Sequence, residues 1–84
     1  MKIKGDKNMI NRRDFERDLC NNYGCYYSHG DDITLCREVN GVLHRATFGN
    51  HAKTEIHGDE ARRLLQDLGF TGDTYKEIRN KWSI

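Results

Sequence analysis

The 84-residue chain has no proline, so none of its strand-like runs is interrupted by a residue lacking a backbone donor. Nor has it an apolar run near the roughly 20 residues needed to span a bilayer. Its start, MKIKGDKN, is polar and has no signal-type apolar region. Neither sign of charge dominates: 14 Lys and Arg stand against 13 Asp and Glu, for a net charge of +1. That excludes a uniformly basic nucleic-acid binder but leaves room for a local basic face. Cysteine is scarce. Three thiols, Cys20, Cys25 and Cys36, are an odd number, which points to a reducing cytosol and away from a disulfide scaffold. There is no Gly-rich phosphate loop, no carboxylate pair suited to glycoside chemistry, no internal repeat and no low-complexity segment.

What is present is regular apolar spacing in a chain that is 36% hydrophobic and 32% charged, the mark of one small domain with a thin core. Asn11 is placed to cap a helix over 12–20, with Phe15 and Leu19 on one face and Ile10 as a hydrophobic staple. The run NNYG at 21–24 ends that helix. Strands are expected over 25–27, 33–39 and 42–48, the last two joined by Asn40-Gly41, the strongest hairpin signal in the chain. Ile33, Leu35 and Val39 share a face, while Tyr26 and Tyr27 point to opposite faces, one into the core and one to solvent. Residues 49–57 read as a long loop. Asp59 then opens a helix whose Ala61, Leu64, Leu65 and Leu68 form a buried stripe, closed by Gly69. A short third helix starts at Gly72-Asp73-Thr74, with Tyr75, Ile78 and Trp82 as its apolar side.

These elements predict an α+β fold: a small three-stranded antiparallel sheet with helices packed on one face, in the order α-β-β-β-α, plus a short C-terminal helix. The expected organisation is a flexible tail over 1–8, the domain over 9–70 and a helical extension over 71–84. Phe15, Leu19, Leu35, Leu64, Leu65 and Leu68 are expected to share one core.

Three stretches resemble the HicA family, small toxins that act as mRNA interferases. They are MINRRDFERDLCNNYG, the Asn40-Gly41 turn, and His51, Lys53, Glu55-Ile56 followed by ARRLLQDLGF. The first is similar to the family's capped opening helix, the second to its hairpin between strands two and three. The third is similar to its His-containing loop and second helix. The likeness covers about residues 9–70. It implies a fold like the double-stranded-RNA-binding domain, metal-independent cleavage of mRNA, no cofactor and a HicB-type antitoxin as partner. The family's signature enters strand two as a Gly-Ser-His-His-like run, and its first histidine is regarded as catalytic. Counting from Asn40-Gly41 or from Gly24, that place falls at Ile33 or Thr34, and the nearest histidine is His29. The prolines that usually flank the loop histidine are replaced by Asn50 and Ala52.

His29 is therefore the candidate general base for attack by an RNA 2′-hydroxyl, because an imidazole takes and gives protons near neutral pH. An exposed turn histidine beside Asp31 and Asp32 is the plain alternative. His51, Lys53 and His57 are candidates for RNA contact, as are Arg37 and Arg45 on the sheet, for which pairing with Glu38 is the blander account. Antiparallel topology should bring the end of the third strand, and so the loop carrying His51 and Lys53, back beside the turn carrying His29. Cys20, Cys25, His29 and Cys36 give the spacing C-x4-C-x3-H-x6-C, which matches no familiar zinc finger or knuckle, and no metal site is assigned. The overall expectation is a cytoplasmic RNA-engaging domain without a membrane segment. The alternative is a catalytically silent relative that binds RNA or a protein.

Overall fold

The computed structural model describes residues 9–29, 33–48 and 54–84. The chain runs β1 (Met9–Asn11), α1 (Arg12–Asn22), β2 (Tyr26–Tyr27), β3 (Thr34–Val39), β4 (Val42–Thr47), β5 (Glu55–His57), α2 (Gly58–Asp67) and α3 (Gly72–Trp82). Strands β2, β3 and β4 form a three-stranded antiparallel sheet in that order, and β1 pairs antiparallel with β5 in a second, two-stranded sheet.

The β3–β4 hairpin follows from Asn40 and Gly41, whose φ values of 52° and 83° are what a two-residue type I′ turn demands. Its register pairs Leu35 with Ala46 and Arg37 with His44 on one face, and Cys36 with Arg45 and Glu38 with Leu43 on the other. The first face meets the helices. Leu35, Ala46 and Phe48 join Phe15 and Leu19 of α1, Ala61, Leu64 and Leu65 of α2, then Leu68, Phe70 and Ile78, in one buried cluster. The six residues expected to share a core do so.

Asn11 caps α1 as expected, its side chain accepting from the Asp14 amide at 2.9 Å. Helix α2 closes in a Schellman pattern: the Phe70 amide donates to the Leu65 carbonyl and the Gly69 amide to Gln66, both at 3.0 Å. Gly69 has φ +80°, and a Cβ there would lie 2.9 Å from the His44 ring, so the position requires glycine for two reasons.

Helix α3 is bound to α1 by a polar clamp beside its apolar contact. Asp18 accepts from Lys81 Nζ and Trp82 Nε1, each at 2.8 Å, and from Asn22 Nδ2 at 2.6 Å. The Tyr23 hydroxyl donates to Glu77 at 2.7 Å. The Trp82 ring meets Phe15 edge to face at 5.3 Å between centroids. Burial raises the Asp18 carboxyl, but the bonds from Lys81, Trp82 and Asn22 outweigh it and hold the group below its ordinary value.

Three expectations are corrected. Residues 55–57 are strand, not loop: Ile56 pairs with Ile10, both buried between exposed neighbours. Ile10 is thus a core strand residue rather than a staple. Neither Tyr26 nor Tyr27 enters the core; they remain 46% and 42% exposed. Among the described residues, no helix is long and apolar enough to cross a membrane.

Candidate functional site

Backbone hydrogen bonds gather several segments at one end of the central sheet. The Ser28 amide donates to the Thr34 carbonyl at 2.9 Å, closing the end of β2 onto β3. The Phe48 amide donates to the Ile33 carbonyl at 2.8 Å, so the chain leaves β4 beside that same turn. It returns at Thr54, whose carbonyl accepts from the Arg12 amide at 2.9 Å. Phe48 and Thr54 bracket the segment 49–53. His51 and Lys53, expected on this segment, lie outside the described residues. His29 follows Ser28 and is exposed, and no hydrogen bond among the described residues orients its imidazole.

Close to this end lies a buried polar cluster. Arg12 and Glu16, only 2% and 1% exposed, are one helical turn apart on α1, with Arg12 Nε 3.4 Å from Glu16 Oε2. The Tyr27 hydroxyl, at the end of β2, donates to Glu16 Oε1. Burial, then the bond to Glu16, push the Tyr27 phenol above its ordinary value, so it stays protonated through the neutral range. Arg12 Nε and Nη1 and Glu16 Oε2 are buried without a hydrogen-bond partner. A buried ion pair left half satisfied is costly, because desolvation of both ions is offset by attraction alone. In a domain of this size such a cluster is more than packing requires.

The other expected site residues are dispersed. Arg37 lies on the helix-facing side of β3, where Nη1 donates to the Leu68 carbonyl at 3.1 Å and the guanidinium sits 3.9 Å from the Phe70 ring centroid. It caps the carbonyl end of α2 and stacks on an aromatic face. Arg45 lies on the opposite, open face, across from Cys36, which in turn pairs with Tyr26. His57 ends β5 and precedes α2 without capping it through its side chain. It lines an open hollow with Asp59, Glu60 and Arg63, on the two-stranded sheet. Of the described candidates, His29 lies at the sheet end where β4 exits, and Arg37, Arg45 and His57 lie elsewhere.

The three cysteines are free. Burial pushes the Cys25 thiol up to about 12, with neighbouring Cys20 adding to the effect, so it is no nucleophile at neutral pH. Burial also raises Cys20. Among the described residues, no group of three or more His, Cys, Asp or Glu is arranged to hold a metal ion.

Arg12 and Glu16 were not singled out from the sequence, yet a signal was there. Residues 12, 15, 16 and 19 follow the i, i+3, i+4, i+7 rule, so the stripe that buries Phe15 and Leu19 also buries two opposite charges. Charges on a core stripe are uncommon and deserve a reason. Compared with known proteins, the chain matches no family model, no curated protein and no solved structure.

Proposed function

We propose that this domain is a HicA-like, cytoplasmic RNA-engaging module, a toxin-type endoribonuclease acting on mRNA and held in check by a HicB-type antitoxin. The observation that supports it most is the shared sheet end. There the turn bearing His29, the exit of β4 and the start of α1 lie together, beside the Arg12–Glu16–Tyr27 cluster. In this reading His29 takes the proton of the RNA 2′-hydroxyl as its oxygen attacks the adjacent phosphorus. The P–O5′ bond breaks, leaving a 2′,3′-cyclic phosphate and a 5′-hydroxyl once the departing oxygen is protonated. Such a reaction uses the substrate's own nucleophile. His51 and Lys53 supply phosphate contact and charge stabilisation.

The second reading is a binding module without cleavage. It is favoured by one observation: His29 is exposed, whereas a catalytic side chain is held in place by packing around it. A single assay separates the two. Purified protein is incubated with single-stranded RNA beside a His29→Ala variant, and product ends are analysed. Cleavage with cyclic phosphate ends that is lost in the variant supports the nuclease. Binding without cleavage leaves the RNA-binding module, and neither binding nor cleavage refutes every RNA reading and leaves a module for a protein partner.

A further inference from the structure

A cleft of about 230 Å³ opens between α1 and β2, lined by Arg13, Arg17, Cys20, Asn21 and Tyr27. Its volume is below the range of drug-sized ligand pockets and suits one unit of a polymer backbone with part of its ring. Arg13, Arg17 and Asn21 are spaced by four, so they form a ladder along one face of α1, each step about 6 Å along the axis. Facing them is Tyr27, 42% exposed. Its hydroxyl is held by Glu16, and Glu16 is held by Arg12, so the aromatic wall is fixed from behind by the buried cluster.

The charges here favour one anion. Arg12 and Glu16 offset each other beneath the cleft. Asp14 pairs with Arg17 at 3.3 Å, an exposed contact that leaves most of that guanidinium available. Arg13 and Arg17 against Asp14 leave one positive charge, the complement of one phosphodiester.

We propose that the α1–β2 cleft binds one nucleotide of single-stranded RNA, its phosphate between Arg13 and Arg17 and its base against the Tyr27 ring. This rests on the RNA-engaging reading but adds a contact surface none of whose residues belongs to the His29 turn or the 49–53 segment. Guanidinium groups suit phosphate through paired donors, and an aromatic face accepts any base.

The test is fluorescence anisotropy with a labelled oligouridylate as probe, over a salt series. Arg13→Gln and Arg17→Gln lie on exposed positions and leave the fold intact, which far-UV circular dichroism checks. Together they should weaken binding and flatten the dependence of log K on log salt by about 0.7, the contribution of one phosphate on a single strand. Tyr27→Leu should weaken binding roughly 5- to 150-fold, the loss of one stacked base, whereas Tyr27→Phe, which keeps the ring but loses its anchor on Glu16, should weaken it less. If the wild type binds RNA and the arginine variants bind it equally well at every salt concentration, the cleft is not the site, though the RNA-engaging reading stands. Weakening by the arginine changes without any effect of Tyr27→Leu overturns the stacking half of the proposal. If the wild type does not bind the probe at all, the RNA-engaging reading fails and the cleft proposal falls with it.

Discussion

The Arg12–Glu16 pair allows a test of whether this domain retains a buried charge pair for stability or for another purpose. Replacing Glu16 with Gln keeps its shape and its capacity to accept from Tyr27, but strips the countercharge from a guanidinium only 2% exposed. Breaking a buried pair from one side costs on the order of 3–5 kcal/mol, because an uncompensated ion stays in the interior. Arg12→Met does the same from the other side and leaves the carboxylate with Tyr27. The double change Arg12→Met with Glu16→Leu removes both ions. Apolar replacement of a whole buried pair is often neutral or stabilising by 1–4 kcal/mol, against which the orphaned Tyr27 hydroxyl costs about 1 kcal/mol. The singles should therefore each lose about 3–5 kcal/mol, while the double stays within about 2 kcal/mol of wild type or exceeds it. Urea unfolding read by circular dichroism gives all four corners of the cycle, with a constant slope confirming that the unfolded reference has not changed. If the double loses the sum of the two singles, the charges are not coupled and the cluster described here does not exist as a unit. If the wild type binds RNA as proposed and the stable double variant does not, the pair is there for the site.

Three further outcomes follow from the packing. Gly69→Ala should cost about 2–4 kcal/mol, combining left-handed strain with the His44 contact at 2.9 Å, and thermal melts in a His44→Ala background should recover about half of that; equal losses in both backgrounds would refute the close approach. Leu65→Ala should cost on the order of 2–5 kcal/mol in urea, and a loss under about half a kcal/mol would mean its side chain is not in the core. The Asp18 carboxyl is held below its ordinary 3.8, so its contribution is present above that pH and is lost as pH falls through and below it; Asp18→Asn should flatten the acid limb of a stability–pH curve, and an unchanged limb would refute the Lys81–Trp82 clamp.

Where the sequence was legible, a local rule and the tertiary fold agreed. Asn40-Gly41 dictates a tight hairpin by itself, and its register then fixes which side of β3 and β4 faces the helices. The stripe Ala61, Leu64, Leu65 and Leu68 sets the buried face of α2, and Gly69 its end. Legibility failed where the signal was three residues long. In β1 and β5 a single buried isoleucine sits between exposed residues, a pattern too short to tell strand from loop. The pairing of Ile10 with Ile56 joins positions far apart in the chain and leaves no local trace. That neither Tyr26 nor Tyr27 fills the core has a related reason. Alternation correctly sends Tyr27 to the other face from Tyr26, but Glu16 waits there instead of the apolar core, and the phenol stops at the carboxylate.

The candidate site shows the same division at higher stakes. Motif reading picks out histidines and lysines in turns because those types carry proton and phosphate chemistry, and so it led to His29, His51 and Lys53. It passes over charges inside an amphipathic helix, which usually belong to its solvated side. Helix α1 breaks that habit by burying Arg12 and Glu16 on the stripe that holds Phe15 and Leu19, while Arg13 and Arg17 follow one residue later on the adjoining surface. One short helix thus carries an internal ion pair that fixes Tyr27 and an external pair of cations facing it. A net charge of +1 over the whole chain is no objection to the proposed RNA contact, because a cleft of this kind would complement one phosphate and not a long backbone. It also sets the character of the binding expected: a shallow dependence on salt, a strong dependence on one aromatic ring, and little preference among bases, since a ring and a pair of guanidinium groups read no base edges.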